Sequence, residues 1–149
     1  MTTKQNEEEN RNKGYELINL KGIFDNGNRS FRVPDYQRGY SWESSQRSDL
    51  LKDILYVLDG SYNHYTGTLV CSEVLKENKS TLPLFEIVDG QQRLTSLLLL
   101  IAVIVKYAKK NDILLSEKSL WETFIMSGEK EGKTVRKFIL QSEQDKLFF

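Results

Sequence analysis

The chain has 149 residues, 39% hydrophobic and 28% charged, with 21 Lys plus Arg against 21 Asp plus Glu. That size and composition suit one soluble globular domain, and the formal net charge of zero excludes a global attraction to polyanions. The single cysteine, Cys71, excludes an internal disulfide and any cysteine-based metal cluster, points to a reducing, cytoplasmic setting, and reads as a small buried hydrophobe.

Residues 1–13 are polar and charged and have no apolar run of the kind a secretory signal needs. They read as a disordered tail ahead of a domain over 14–149. Tyr15 to Phe24 fits helix or strand. Asp25-Asn26-Gly27-Asn28 is a turn signal. Phe31-Arg32-Val33 alternates and is stopped by Pro34, so a short strand is expected. Ser44 or Ser45 can cap a helix running to Asp59, with Leu50, Leu51, Ile54, Leu55 and Leu58 on one apolar face and Gly60 as its stop.

Tyr65 to Leu75 is rich in Thr, Val and aromatic residues and reads as a strand. Glu77-Asn78-Lys79-Ser80 would turn it into a partner strand, Leu82 to Val88, giving a hairpin that Asp89-Gly90 ends. From Gln91 to Lys110 the pattern is helical and apolar enough to be covered on several sides. Its unbroken apolar run, Leu97 to Val105, is shorter than the roughly 18 residues a bilayer demands, so a buried helix is expected and no membrane segment. Ser119-Leu120-Trp121-Glu122 fits a capping box for a helix reaching Met126, and Lys133 to Gln141 reads as a last strand. Leu147-Phe148-Phe149 suggests contact with a partner or with the remainder of a longer polypeptide. Strands and helices in this mixture argue for an α/β (α+β) fold.

Asp89-Gly90-Gln91-Gln92-Arg93 is where the chemistry concentrates. A helix N-terminus presents unpaired N–H groups and partial positive charge, and binds phosphate readily. Gly90 lets a ligand approach the backbone. Arg93 can reach back with a forked cationic donor, while Gln91 and Gln92 offer neutral donors and acceptors. Asp89, at a strand's carboxyl end, could hold a divalent cation or orient a water. A plainer reading stands beside this one. Asp89 is then an N-cap, Gln92 completes a capping box, Gly90 relieves the turn, and Arg93 pairs with a surface carboxylate. No Walker A loop is present. A second constellation, Pro34-Asp35-Tyr36-Gln37-Arg38-Gly39-Tyr40-Ser41-Trp42, supplies another phosphate candidate in Arg38 and three aromatics able to stack on a base. Its plain reading is that the aromatics cover a core edge and Arg38 is solvated.

Phe31-Arg32-Val33-Pro34-Asp35-Tyr36-Gln37-Arg38-Gly39-Tyr40-Ser41-Trp42, then Tyr65-Thr66-Gly67-Thr68-Leu69-Val70, then Val88-Asp89-Gly90-Gln91-Gln92-Arg93-Leu94-Thr95-Ser96-Leu97 resembles the N-terminal domain of GmrSD-type restriction proteins. The resemblance runs from Tyr15 to the end of the chain. It implies a ParB/sulfiredoxin-like fold, a small mixed sheet with flanking helices, that binds and in some members hydrolyses nucleoside triphosphate. Gly90 and Arg93 match that group's phosphate-cradling Gly-x-x-Arg, and Arg38 stands where a second phosphate-contacting arginine is expected. By the same resemblance Tyr36, Gln37, Arg38, Gly90, Gln91, Gln92, Arg93 and Thr95 would bind the nucleotide. From the residue chemistry, Asp89 and Arg93 are the candidates to act in hydrolysis, and Asp89 could hold magnesium. Restriction proteins of this kind couple nucleotide to cleavage of modified foreign DNA. Their cutting domain is a separate C-terminal HNH nuclease, whose metal and base require histidines.

Here His64 is the only histidine, so no nuclease centre is expected in this chain. The expected partners are nucleotide, the missing C-terminal domain, DNA reached through the full-length protein, and a second copy in a homo-oligomer. The contrasting reading is a non-enzymatic DNA-binding or regulatory module, drawn from the local cluster of Arg29, Arg32, Arg38 and Arg47.

Overall fold

A computed structural model of the chain describes residues 14–25, 29–60, 63–74, 83–113, 117–130 and 133–141. The tail at 1–13, residues 26–28 of the first turn, the turn at 77–80 and the final 147–149 lie outside the described residues.

The chain opens with a short helix, α1 (Leu20–Asp25), where sequence alone allowed helix or strand. Asn19 Oδ1 accepts the Gly22 N–H at 2.8 Å, as a capping asparagine does. Strand β1 (Ser30–Arg32) follows, and Pro34, lacking an N–H, ends the pairing. Helix α2 (Ser44–Asp59) has Glu43 as its N-cap, not Ser44 or Ser45. The Glu43 N–H donates to Gln46 Oε1 at 3.0 Å, so the acidic residue and a glutamine set the start. Then come β2 (Val70–Val74), β3 (Leu84–Asp89), α3 (Gln91–Lys110), α4 (Glu117–Phe124), β4 (Met126–Lys130), β5 (Lys133–Arg136) and β6 (Phe138–Ile139).

Four strands form one sheet in the order β2-β3-β1-β6. β2 runs antiparallel to β3, as a hairpin requires, whereas β1 is parallel to both β3 and β6. β4 and β5 make a separate antiparallel pair. This is the mixed α/β class with a small mixed sheet. Its core is aromatic at the centre. Phe24 of α1 is fully buried and meets Phe31 and Phe124 edge-on, with ring centroids 5.3 and 5.8 Å apart. Ile87 of β3 is also fully buried, and Leu94 and Leu98 of α3 close the cluster.

Several expectations are corrected. Only Leu50 of the α2 apolar set is buried, and Leu51, Leu55 and Leu58 are exposed. Of the strand expected over Tyr65–Leu75, Val70–Val74 is extended and 63–69 is irregular, while Leu75 lies outside the described residues. The helix containing Ser119 begins at Glu117 and ends at Phe124, so Ser119 is inside it and does not cap it. The single last strand divides at Lys137. There the Lys137 N–H donates to the Ile125 carbonyl, its own carbonyl accepts the Phe31 N–H, and its Nζ donates to the Thr123 carbonyl. These bonds hold the bend that moves the chain from the small hairpin into the main sheet.

Helix α3 is long and apolar enough to cross a membrane by length and composition, with 39% of the relevant window buried. Leu94, Leu98, Val105 and Ala108 form its buried stripe, while Val103, Ile104 and Tyr107 are exposed. Cover on several sides holds from Gln91 to Ala102, where no residue is exposed, and gives way to one-sided cover from Val103 onward.

Cys71, on β2, is half-buried, and burial pushes its thiol up to about 11, with the positive charge of Arg29 opposing the rise. Alkylation requires the thiolate, so the folded chain at pH 8 should react at least about tenfold more slowly than the urea-unfolded chain. Equal rates in a timed iodoacetamide assay would show that Cys71 is not shielded.

Candidate nucleotide-binding site

β1, β3 and β6 are parallel, so their carboxyl ends share one edge of the sheet, where ligands of open α/β sheets gather. The loop after β1 and the first turn of α3 meet there. Together they line a cleft of about 350 Å³ formed by Gln37, Arg38, Trp42, Asp89, Gly90, Gln91, Gln92 and Arg93. That volume lies within the range of small-molecule sites, about 300–1,000 Å³.

The N-terminus of α3 is built for approach. Its N-cap is Gly90, in the left-handed region with φ 89°, and no side chain caps the helix. Asp89 is thus not the cap. Its Oδ1 instead accepts the Gly90 N–H at 2.8 Å. A Cβ on Gly90 would stand 2.7 Å from the Thr68 carbonyl oxygen, so the segment before β2 presses directly on the helix start. Gly90→Ala combines a disfavoured φ with this clash and should cost about 1–3 kcal/mol of stability. Chemical denaturation would measure it, and an unchanged midpoint would show that the turn relaxes freely.

Glutamines join the two motifs. Gln37 Nε2 donates to the carbonyls of Ile87 and Val88 at 3.0 and 2.8 Å. Gln91 Nε2 donates to the Arg38 carbonyl at 2.9 Å. Gln92 does two things at once, donating from Nε2 to the Gly39 carbonyl at 2.9 Å and accepting the Ser41 N–H on Oε1 at 2.8 Å. From the end of β6, Gln141 Nε2 donates to the carbonyls of Pro34 and Gln37. Tyr40 and Ser96 hydroxyls meet at 2.8 Å. The loop is therefore fastened to β3 and α3 largely through amides reading backbone, and the Gln37 and Gln92 amides serve as fasteners. Gln92 forms no capping box with Asp89. Gln91, only 8% exposed, keeps its buried Oε1 without a hydrogen-bond partner.

The charge balance of the cleft is positive. Among the described residues, no carboxylate lies within ion-pair distance of Arg38 or Arg93. Asp89 is the single carboxylate lining the cleft. Arg93 Cζ lies 6.0 Å from the centroid of the Trp42 ring, and Arg47 Nη1 donates to the Trp42 carbonyl, holding that end of the loop. The other arginines of the sequence cluster are engaged elsewhere. Arg32 pairs with Glu86, and Arg29 lies over the Phe85 ring at 5.4 Å. They do not form one free basic face with Arg38.

The structure gathers Gln37, Arg38, Asp89, Gly90, Gln91, Gln92 and Arg93 around the cleft. Tyr36 is 76% exposed and is not among the lining residues. Thr95 is buried, and its Oγ1 donates to the Gln91 carbonyl at 2.7 Å within the helix. Sequence reasoning proposed Trp42 only as one of three stacking candidates, and it missed Gly67 and Gln141. For Gly67 a signal existed, since an isolated glycine inside a strand-like run marks close backbone approach.

The sequence model of the family described as GmrSD restriction endonuclease, N-terminal domain, matches residues 20–149. Among curated proteins no match was found.

Proposed function

This chain belongs to the GmrSD restriction endonuclease N-terminal domain family and is thus part of a restriction system of the phage-defence kind; from that premise we propose that its cleft binds a nucleoside triphosphate. The observation that carries the reading is the pairing of two guanidiniums, Arg38 and Arg93, which have no carboxylate within ion-pair distance among the described residues, with a helix N-terminus that no side chain caps. An anion with several phosphate oxygens satisfies all three at once. The segment at Thr68 and Leu69 packs on the Cα of Gly90 and fixes the helix start, and Trp42 offers an apolar face beside the cations.

Hydrolysis is the further step of the proposal. Arg38 and Arg93 neutralise phosphate charge, and Asp89 orients the attacking water. Asp89 Oδ1 is held by the Gly90 N–H, so Oδ2 is the atom assigned to that water. A metal held by the protein alone does not fit, because among the described residues no three His, Cys, Asp or Glu side chains come together. Magnesium would fit only as an ion carried in by the phosphates, with phosphate oxygens and water as its ligands. The nuclease centre is assigned to another part of the full-length protein. His64 pairs with Asp53 of α2 at 3.4 Å and does not line the cleft.

A thermal-shift screen against the four common nucleoside triphosphates, with and without magnesium, tests the reading. A ligand at 100 times its Kd adds about 2.7 kcal/mol to stability, a shift of several degrees. A melting temperature unmoved by all four would overturn it.

A further inference from the structure

Arg93 occupies a slot whose second wall is not a side chain. Gly67, in the irregular segment before β2, has φ 110°, a conformation L side chains rarely adopt. A Cβ built there would stand 2.2 Å from Arg93 Nη1 and 2.9 Å from Arg93 Cζ. The guanidinium therefore rests against the bare Cα of Gly67. On another side lies the Trp42 ring, with its centroid 6.0 Å from Arg93 Cζ. Cation–π attraction reaches about that far and orients a guanidinium without taking up its hydrogen-bonding edge. No carboxylate holds Arg93 in place among the described residues. Packing then holds it, and the Cα of Gly67 and the Trp42 ring are two of the surfaces it packs on.

We propose that Gly67 is a positioning residue, keeping the Arg93 guanidinium aimed at the cleft by presenting a backbone face with no side chain. The same segment sets the helix start, because the Thr68 carbonyl closes on Gly90. Tyr65 Oη and Thr68 Oγ1 meet at 2.7 Å across this turn. Residues 65–69 thus place both the arginine and the glycine of the Gly-x-x-Arg unit. A side chain at position 67 would push the guanidinium out of the slot while the residue stays charged.

The ligand part of this inference rests on the triphosphate reading, whereas the packing part does not, so two measurements separate them. The first is thermal unfolding without ligand, comparing Gly67→Ala in the wild-type and Arg93→Ala backgrounds. The φ strain is common to both, whereas the clash falls on the movable end of Arg93 and costs mainly its packing against Trp42, so the loss of melting temperature should be modestly smaller in the Arg93→Ala background. A loss as large or larger in the Arg93→Ala background would overturn the packing part of the proposal. The second is titration with inorganic tripolyphosphate well below the melting temperature. Gly67→Ala should weaken binding by about tenfold or more, in the range of a lost hydrogen bond to a charged group. In the Arg93→Ala background the same change should have no further effect. Wild-type affinity in a folded Gly67→Ala chain would overturn the positioning role. A wild-type chain that binds no triphosphate would instead overturn the reading of the cleft, and the unfolding comparison would still decide whether Gly67 holds Arg93.

Discussion

Arg93→Ala is expected to weaken nucleoside triphosphate binding by about 1.5–3 kcal/mol, the range for hydrogen bonds to a charged group. Arg93 lines the cleft, has no carboxylate partner among the described residues, and is held by the Trp42 ring and the Gly67 backbone. Removing it breaks no ion pair, so the loss should appear in binding far more than in folding. Arg93→Lys keeps the charge but loses the planar fork, and should fall between wild type and alanine. Arg38→Ala should act in the same direction. Its backbone carbonyl, which anchors Gln91, is untouched by the change. Anisotropy with a fluorescent triphosphate would measure the series. Equal affinities across all variants would remove both arginines from the site.

Gln92→Ala is expected to destabilise the fold by about 1–3 kcal/mol, because it removes two part-buried hydrogen bonds to the loop at once. Gln92 is 8% exposed, and its amide spans Gly39 and Ser41 in the loop that carries Arg38 and Trp42. Gln92→Glu is the sharper variant. It still accepts the Ser41 N–H, but it can no longer donate to the Gly39 carbonyl and sets a carboxylate against it. It should therefore lose stability at neutral pH although its shape is unchanged. Urea denaturation monitored by tryptophan emission would read both variants. A Gln92→Glu midpoint equal to wild type would show that the amide does not fasten the loop.

The strand-to-helix junction was legible because its signals are local. The strand of Phe85, Ile87 and Val88 halts at Asp89-Gly90, and helical spacing begins at Gln91. Periodicity also found α2, but it identifies an apolar face without saying what covers it, and Leu51, Leu55 and Leu58 face outward. The strand expected over Tyr65–Leu75 was shortened by Gly67, whose positive φ breaks extended geometry where Arg93 and Gly90 need the space. Arg38 and Arg93 could be named from charge type and helix position alone. The glutamines could be named but not understood. The partners of Gln91 and Gln92 are backbone groups more than 50 positions earlier in the chain, and no spacing rule encodes such a contact. Asp89 shows the reverse. Both readings of it were visible, and the backbone at Gly90 excluded the cap.

The central claim is that Arg38, Arg93 and the start of α3 together hold a triphosphate. Isothermal titration of the wild-type chain with a nucleoside triphosphate and magnesium, run beside the Arg38→Ala/Arg93→Ala double variant, tests it most directly. The account predicts a saturable, single-site heat for wild type and none for the folded double variant at the same concentrations. No heat with wild type, or an undiminished heat with the double variant, would contradict it.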